Sequence, residues 1–388
     1  PQASGMWAVN NPIDPVNPDN HKKAPPGIAR QILAGYTREK QKPYLGGAFM
    51  KLYAGCDLHS TNNFWGIIDE NGKRIFSKKL PNSPEKILKT IQPFKDDLAA
   101  IAVESTYNWY WIVDLLMSEG FQVRLANPAA MKKYSGLKYS DDKHDSFWLA
   151  EMLKLDILPQ GYIYPKNERP TRDLCRKRLQ LVQMRTSIIL SLRSMIARNT
   201  GLRISAYQIK SLSQENIVNF VDGHEDLMFR AAIDKVAIDN FTGQIKCVEN
   251  KLINKAANNT QYRNLMTIPG IGPILSLTIV LETGPVERFK QVGNYASYCR
   301  KVESKWKSNN KNKGKGNKRN GNKYLAWAFS EAAEHARMFH QQTKRYFEQK
   351  MAKTNQMTAH GALAHKIARA AYYIMRDNVP FEPKKMFT

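Results

Sequence analysis

Four carboxylates, Asp57, Glu104, Asp142 and Asp145, are the residues of this 388-residue chain whose types and spacing could do chemistry together. Asp57 ends the apolar run LYAGC, and Glu104 ends LAAIAV. Asp142 and Asp145 are three apart at the start of a helical stretch and so share one face. Acids that converge repel one another unless cations hold them, and hard oxygen ligands suit Mg²⁺, with Mn²⁺ able to substitute. Two such ions about 4 Å apart would activate a nucleophile and stabilise the leaving oxygen at a phosphodiester. Each acid also has a plainer reading. An Asp after a strand is usually a turn or cap residue, and Asp142 with Asp145 could be a solvated helix start. Asp141 fits an N-cap, or a replacement for Asp142 as a ligand. His59 and His144, near the acids, fit supporting or surface positions better than bases.

The elements that must position these acids follow from periodicity. KLYAGCDL is a β-run, and FWGIIDENGKRIFSKKL reads as a hairpin turning at Glu70-Asn71-Gly72. A helix capped by Ser83, the buried strand LAAIAVES, a helix ending at Gly120, the strand FQVRLAN and a helix over 141–155 follow. Three antiparallel strands, then helix, strand, helix, strand, helix, is the order of a ribonuclease-H-like domain, in which Asp57 and Glu104 would lie on neighbouring strands.

Beyond this, residues 169–200 predict a long helix stopped by Gly201, with Leu174, Leu181, Met184, Ile188, Leu192 and Met195 as its apolar stripe. A second helical stretch over 225–256 could pair with it as an antiparallel coil, serving as a spacer or an oligomerisation arm, or as part of a simple bundle. NLMTIPGIGPILSLTIVLETG has the helix, Gly-x-Gly turn, helix form of a helix-hairpin-helix. In it Gly270 and Gly272 would let a DNA strand approach backbone N–H groups, unless the turn merely joins two core helices. Residues 299–323 place ten Lys or Arg against Glu303. This reads as a flexible basic loop that follows phosphates, with Arg300, Lys301, Lys305, Lys307, Lys311, Lys313, Lys315, Lys318 and Arg319 as contacts. Helices over 323–350 and 358–376 close the chain. Residues 1–49 carry seven of the 19 prolines and little apolar periodicity, as an upstream extension, a cloning remnant or a flexible arm would.

The bulk charge points the same way. Fifty-nine Lys and Arg against 34 Asp and Glu leave a net charge of +25, an excess that a polyanion such as nucleic acid would neutralise. The four cysteines, Cys56, Cys175, Cys247 and Cys299, form no CxxC pair, which argues against a zinc site or a disulfide framework. No apolar run reaches the roughly 18 residues of a membrane helix, and no signal peptide is evident, so a cytoplasmic protein is expected.

Six blocks in order, YAGCDLHS, VESTYNWYW, LANPAAMKKYSGLKYSDDKHD, IPGIGPILSLTI, GNYASYCR and GNKYLAWAF, closely resemble the DEDD-type insertion-sequence transposases, relatives of the Piv invertases and of the bridge-RNA-guided recombinases. The resemblance runs from Met50 nearly to the C-terminus. It implies an α/β RuvC-like catalytic domain over 50–160, a helical coiled-coil segment over 165–258 and a mainly helical transposase domain over 260–388. Its four acids fall on Asp57, Glu104, Asp142 and Asp145, and its nucleophilic serine falls best on Ser308, with Ser304 as the second choice. Asn310 stands where glycine is common in the family. Implied partners are double-stranded donor and target DNA, a structured bridge RNA and further copies of the chain in a homodimer or homotetramer, in a bacterial cytoplasm. Lys and Arg of the 169–200 helix would lie beside phosphates. Two rival readings use less of the sequence: a RuvC-like nuclease that employs water instead of serine, and a nucleic-acid-binding protein with a decayed site.

Overall fold

The computed structural model describes residues 51–131, 141–302, 305–315 and 320–387. The chain divides into Pro1–Phe49 and Met50–Thr388, and the expected extension over 1–49 lies outside the described residues. Strands β1 (Leu52–Leu58), β2 (Asn62–Ile68) and β3 (Arg74–Pro81) form an antiparallel meander. The β2–β3 turn falls where the sequence puts it. Gly72 has a φ of 83°, and Asp69 Oδ1 accepts bonds from the N–H groups of Asn71 (2.9 Å) and Lys73 (2.8 Å). Helix α1 (Pro84–Ile91), capped by Ser83, leads to β4 (Leu98–Glu104), α2 (Tyr110–Ser118), β5 (Val123–Ala126) and α3 (Asp142–Lys154). The five strands make one mixed sheet in the order β3-β2-β1-β4-β5, with β4 parallel to both β1 and β5.

Strand parity assigns the two faces of this sheet. Leu52, Ala54, Cys56 and Leu58 of β1, with Ile101 and Val103 of β4, pack against Ile87, Ile91, Ile112 and Leu116 of α1 and α2. The alternate positions, Gly55 and Asp57 on β1 and Ala102 and Glu104 on β4, face the other way, towards α3. Gly55 stands opposite Gly66 in the register, and this glycine pair is where α3 settles on the sheet. A Cβ on Gly55 would lie 1.9 Å from the Ser146 carbonyl oxygen, and one on Gly66 would lie 2.8 Å from the Ser146 hydroxyl. Only bare backbone admits the helix at that depth.

Helices α4 (Arg169–Thr200) and α7 (Glu225–Ala256), 32 residues each, run antiparallel as expected, and Gly201 ends α4 in the left-handed conformation. Arg178 bonds Glu249, Arg185 bonds Thr242 and Arg230 bonds Ser191, a falling register that fixes the direction. The short helices α5 (Ala206–Ser211) and α6 (Gln214–Val218) close the pair at one end, burying Ile209 and Ile217 against Leu192, Ile196 and Ile238. Met184 departs from the expected stripe and is exposed.

The remaining helices are α8 (Thr260–Leu265), α9 (Pro273–Thr283), α10 (Val292–Tyr298), α11 (Lys323–Phe339), α12 (Gln341–Lys353), α13 (Gln356–Asp377) and α14 (Pro383–Phe387), around a core of Tyr295, Phe329, Leu363 and Tyr372. The helix expected over 323–350 is two helices. Backbone helicity stops at His340, whose N–H donates to the Ala336 carbonyl (3.0 Å), and the Thr343 hydroxyl donates to the same carbonyl (2.5 Å). Strands β6 (Lys305–Ser308) and β7 (Lys311–Lys315) form a separate two-stranded sheet, so the basic segment is a hairpin where the sequence suggested a loop.

Because α3 rests on bare backbone, Gly55→Ala should cost at least about 3 kcal/mol, more than ordinary overpacking, since the clash is with a carbonyl and not a movable side chain. Chemical denaturation checks this. The surface change Gly243→Ala, whose added carbon meets nothing within 4 Å, should have no comparable cost.

Candidate metal centre and basic hairpin

Asp57 ends β1 on the face that α3 covers, and its side chain is 5% exposed. In the parallel register Cys56 is level with Val103, which sets Glu104 beside Asp57. Helix α3 begins over this point because Ser146, one turn in, is seated on Gly55 and Gly66. Asp141 caps α3, accepting from the N–H (2.8 Å) and ring Nδ1 (2.7 Å) of His144. These bonds hold the Asp141 carboxylate below its usual pKa. Asp141 thus takes the cap role, and Asp142, the next residue, reaches the sheet end.

The donor atoms of Asp57, His59 and Asp142 lie within 4.8 Å of one another. His59 Nε2 is 3.2 Å from Asp57 Oδ2 and 3.2 Å from Asp142 Oδ1, and Lys79 Nζ is 3.9 Å from Asp142 Oδ2. Burial pushes the Asp57 pKa up. His59 and a hydrogen bond with Glu104 pull it down, and the charges of Asp145 and Asp142 push it up again. The same surroundings act on Cys56, whose thiol is driven well up by burial and by Asp57 and Glu104. Asp57 and Asp142 thus meet at the sheet end, and Glu104 and Asp145 are near enough to shift the Asp57 carboxyl. His59, expected near the acids as a supporting or surface residue, lies 3.2 Å from two of them and is partly exposed.

The residues present fit a divalent ion. The donors are carboxylate oxygens suited to a hard cation, the charges of Asp145 and Asp142 bear on Asp57, and a buried ring nitrogen meets them without a hydrogen bond of acceptable geometry.

Ser308 belongs to the other sheet. It is the last residue of β6, paired with Lys311, so Asn309 and Asn310 form a two-residue hairpin loop. Their φ values, 48° and 57°, are the left-handed pair of a type I′ turn, and Asn is the side-chain-bearing residue that tolerates it best. Asn310 in place of glycine thus leaves a tight turn intact. The base of the hairpin is clamped: Asn322 N–H donates to the Tyr298 carbonyl (2.6 Å) and the Arg300 guanidinium to that of Gly321 (2.9 Å). Asn322 caps α11 and also donates to buried Glu282 (2.8 Å), which Arg176 of α4 grips with bonds of 2.6 and 2.8 Å. No motif marked this junction of α4, α9 and α11.

Several of the expected nucleic-acid contacts also make internal bonds. Arg300 holds the hairpin base, and Lys301 donates to the Ser330 hydroxyl (2.7 Å) from a site whose burial lowers its pKa to about 8. Lys311 and Lys313 are exposed, and Lys305, Lys307 and Lys315 lie on the same two strands. Lys318, Arg319 and Ser304 lie outside the described residues, as does much of the block between Met131 and Asp141. On α4, Arg169, Arg172, Arg176, Arg178, Arg185 and Arg193 bond within the protein. Gly270 has a φ of 85°, and its Cβ position is filled by α11, 2.2 Å from the Ala332 carbonyl oxygen. The close approach it permits is helix to helix. Gly272 is open, in a groove of about 520 Å³ between the α8–α9 turn and His335.

Two transposase families match the chain, and no curated protein does. The DEDD-type IS110 transposase family matches residues 54–198, from within β1 almost to the end of α4, and so includes all four acids. The IS116/IS110/IS902 transposase family matches residues 262–348, which include the α8–α9 turn and the basic hairpin. The two spans follow one another without overlap and together take in more than half of the chain. With its acids gathered at the end of a mixed sheet, the chain belongs to the IS110-type DEDD transposases, enzymes that act on DNA and whose family chemistry uses divalent metal.

Proposed function

We propose that this transposase cuts and rejoins DNA through a serine–DNA intermediate, with Asp57, Glu104, Asp142 and Asp145 holding Mg²⁺. The observation that carries the reading is the meeting of Asp57 and Asp142 at one sheet end, with Glu104 and Asp145 acting on the same carboxylate. The strand order and the α3 packing suit a RuvC-like domain over 50–160, followed by a coiled-coil segment over 165–258 and a transposase domain over 260–388.

A bound divalent ion supplies positive charge where phosphate oxygens become more negative and makes a nearby hydroxyl easier to deprotonate. The chain's own residues do the rest. The Ser308 oxygen attacks the scissile phosphorus, losing its proton as the new bond forms. The bond to the 3′ oxygen breaks, that oxygen takes up a proton, and a 5′-phosphoserine remains. Attack by the 3′-hydroxyl of another strand reverses the chemistry and frees the serine. Placement of Ser308 next to a two-residue turn supports this role, because a hairpin tip can enter a DNA groove while its clamped base stays fixed. The acids facing one serine belong to the same chain or to a partner subunit, and strand exchange calls for a homodimer or homotetramer. A structured bridge RNA is the reading's source of sequence specificity: base pairing selects the DNA, and the protein contacts shape and backbone. Such a protein would work in a bacterial cytoplasm. No described helix is long and apolar enough to cross a membrane.

Three outcomes follow. Incubation of the protein with its element's RNA, Mg²⁺ and donor and target DNA, then denaturation, should leave a DNA adduct that Ser308→Ala abolishes while changing stability by no more than about 0.5 kcal/mol. Cleavage that persists in Ser308→Ala would instead identify a water-using nuclease. In metal-free buffer Asp57→Asn should melt a few degrees above wild type at neutral pH. A carboxyl whose folded-state pKa is raised adds stability below its unfolded value and loses it as pH rises through the folded one, so the gain should vanish near pH 4. Added Mn²⁺ should raise the melting temperature of wild type alone. Lys311→Ala and Lys313→Ala should each lower the slope of log K against log salt by about 1, whereas Lys301→Met should leave it unchanged.

A further inference from the structure

We propose that His59 is a nitrogen ligand of this metal centre, and that it biases the site from Mg²⁺ towards Mn²⁺ and Co²⁺. The proposal rests on the metal-centre reading above and goes beyond the four acids, which by themselves make an all-oxygen site.

The imidazole is held in place by its own backbone. His59 N–H donates to the Asn62 carbonyl (2.9 Å), closing the β1–β2 turn. Its carbonyl accepts from Asn82 Nδ2 and from Asn108 Nδ2, each at 3.0 Å. Asn82 follows β3 and Asn108 follows β4, so the turn is tied to both flanking segments and the backbone that carries the ring is fixed beside the acids.

Nε2 then stands between Asp57 and Asp142 at 3.2 Å from each, shut off from solvent although the side chain is 41% exposed, and it makes no hydrogen bond of acceptable geometry. A ring nitrogen carries one hydrogen or one lone pair and cannot serve two carboxylates by hydrogen bonding. A cation shared by all three groups satisfies them together. Ligands at right angles on bonds of about 2.1 Å are about 3.0 Å apart, close to both observed spacings. Among the described residues, Lys79 reaches Asp142 only at 3.9 Å and so does not fill this role.

Imidazole is a poor partner for Mg²⁺, and its affinity for divalent ions climbs from Mn²⁺ to Co²⁺. One nitrogen among oxygens therefore changes which ion is preferred more than it changes whether an ion binds.

The test is titration of the full-length protein, without nucleic acid, with Mg²⁺, Mn²⁺ and Co²⁺, read by calorimetry and by melting temperature. Wild type is compared with His59→Ala, His59→Asn and Asp57→Asn. The proposal predicts that both His59 variants, melting like wild type without metal, lose at least about tenfold in Co²⁺ affinity but less than about threefold in Mg²⁺ affinity. It also predicts that pulsed electron resonance of the Mn²⁺ complex shows a nitrogen coupling that both variants lack. An unchanged Co²⁺ to Mg²⁺ ratio, or no nitrogen coupling in wild type, overturns the assignment of His59 even if Asp57→Asn abolishes binding. Wild type that binds none of the three ions overturns the metal centre itself, and His59 with it. Should His59→Ala fail to fold, the Asn variant and the wild-type nitrogen coupling decide the matter alone.

Discussion

Carboxylates that share one end of a sheet repel one another, and the fold around Asp57 is organised to hold them there. What resists the repulsion is packing. Helix α3 presses onto Gly55 and Gly66 so closely that the Ser146 carbonyl occupies the space where a side chain would begin. Anchored a turn from its start, the helix places Asp142 and Asp145 at the sheet end that carries Asp57 and Glu104. Burial raises the pKa of Asp57, and the charges of Asp145 and Asp142 add to the rise. Stability given up at such a point is commonly the mark of a site built for a ligand.

The second constraint is the anchoring of the basic hairpin. Its charge invites a picture of a flexible cationic loop, but two of its arms do structural work. Arg300 closes the base, Lys301 turns inward to Ser330, and Asn322 links the base through Glu282 to Arg176 on α4. Lys305, Lys307, Lys311, Lys313 and Lys315 stand on β6 and β7, the strands beside Ser308. A long helix that meets buried Glu282 also joins the two family segments, because α4 begins in the first and contacts the second.

Much of the sheet was legible in the sequence because strand parity, the Asp69–Gly72 turn and the caps at Ser83 and Asp141 are local signals. The acids were legible for the same reason: each stands at the end of an element whose type its neighbours declare. The packing that brings them together was not. Gly55 and Gly66 look like weak points in their strands until their register shows them paired beneath α3. The basic segment hid its hairpin because β6 and β7 lack alternating hydrophobic residues, and only Asn309-Asn310 betrays the turn. The internal bonds of the α4 arginines were not legible, since charge alone does not tell a phosphate contact from an internal bond, and Arg169 lies buried between Asp114 and the Tyr164 carbonyl.

The account stands or falls on whether the acids at the sheet end bind metal together. Anomalous X-ray scattering from crystals of the full chain grown with Mn²⁺ answers this most directly. The account predicts a Mn²⁺ peak at the ends of β1 and β4, within bonding distance of Asp57 and Asp142, that disappears in Asp57→Asn. Mn²⁺ bound only elsewhere, or a peak at that place that survives Asp57→Asn, would contradict it.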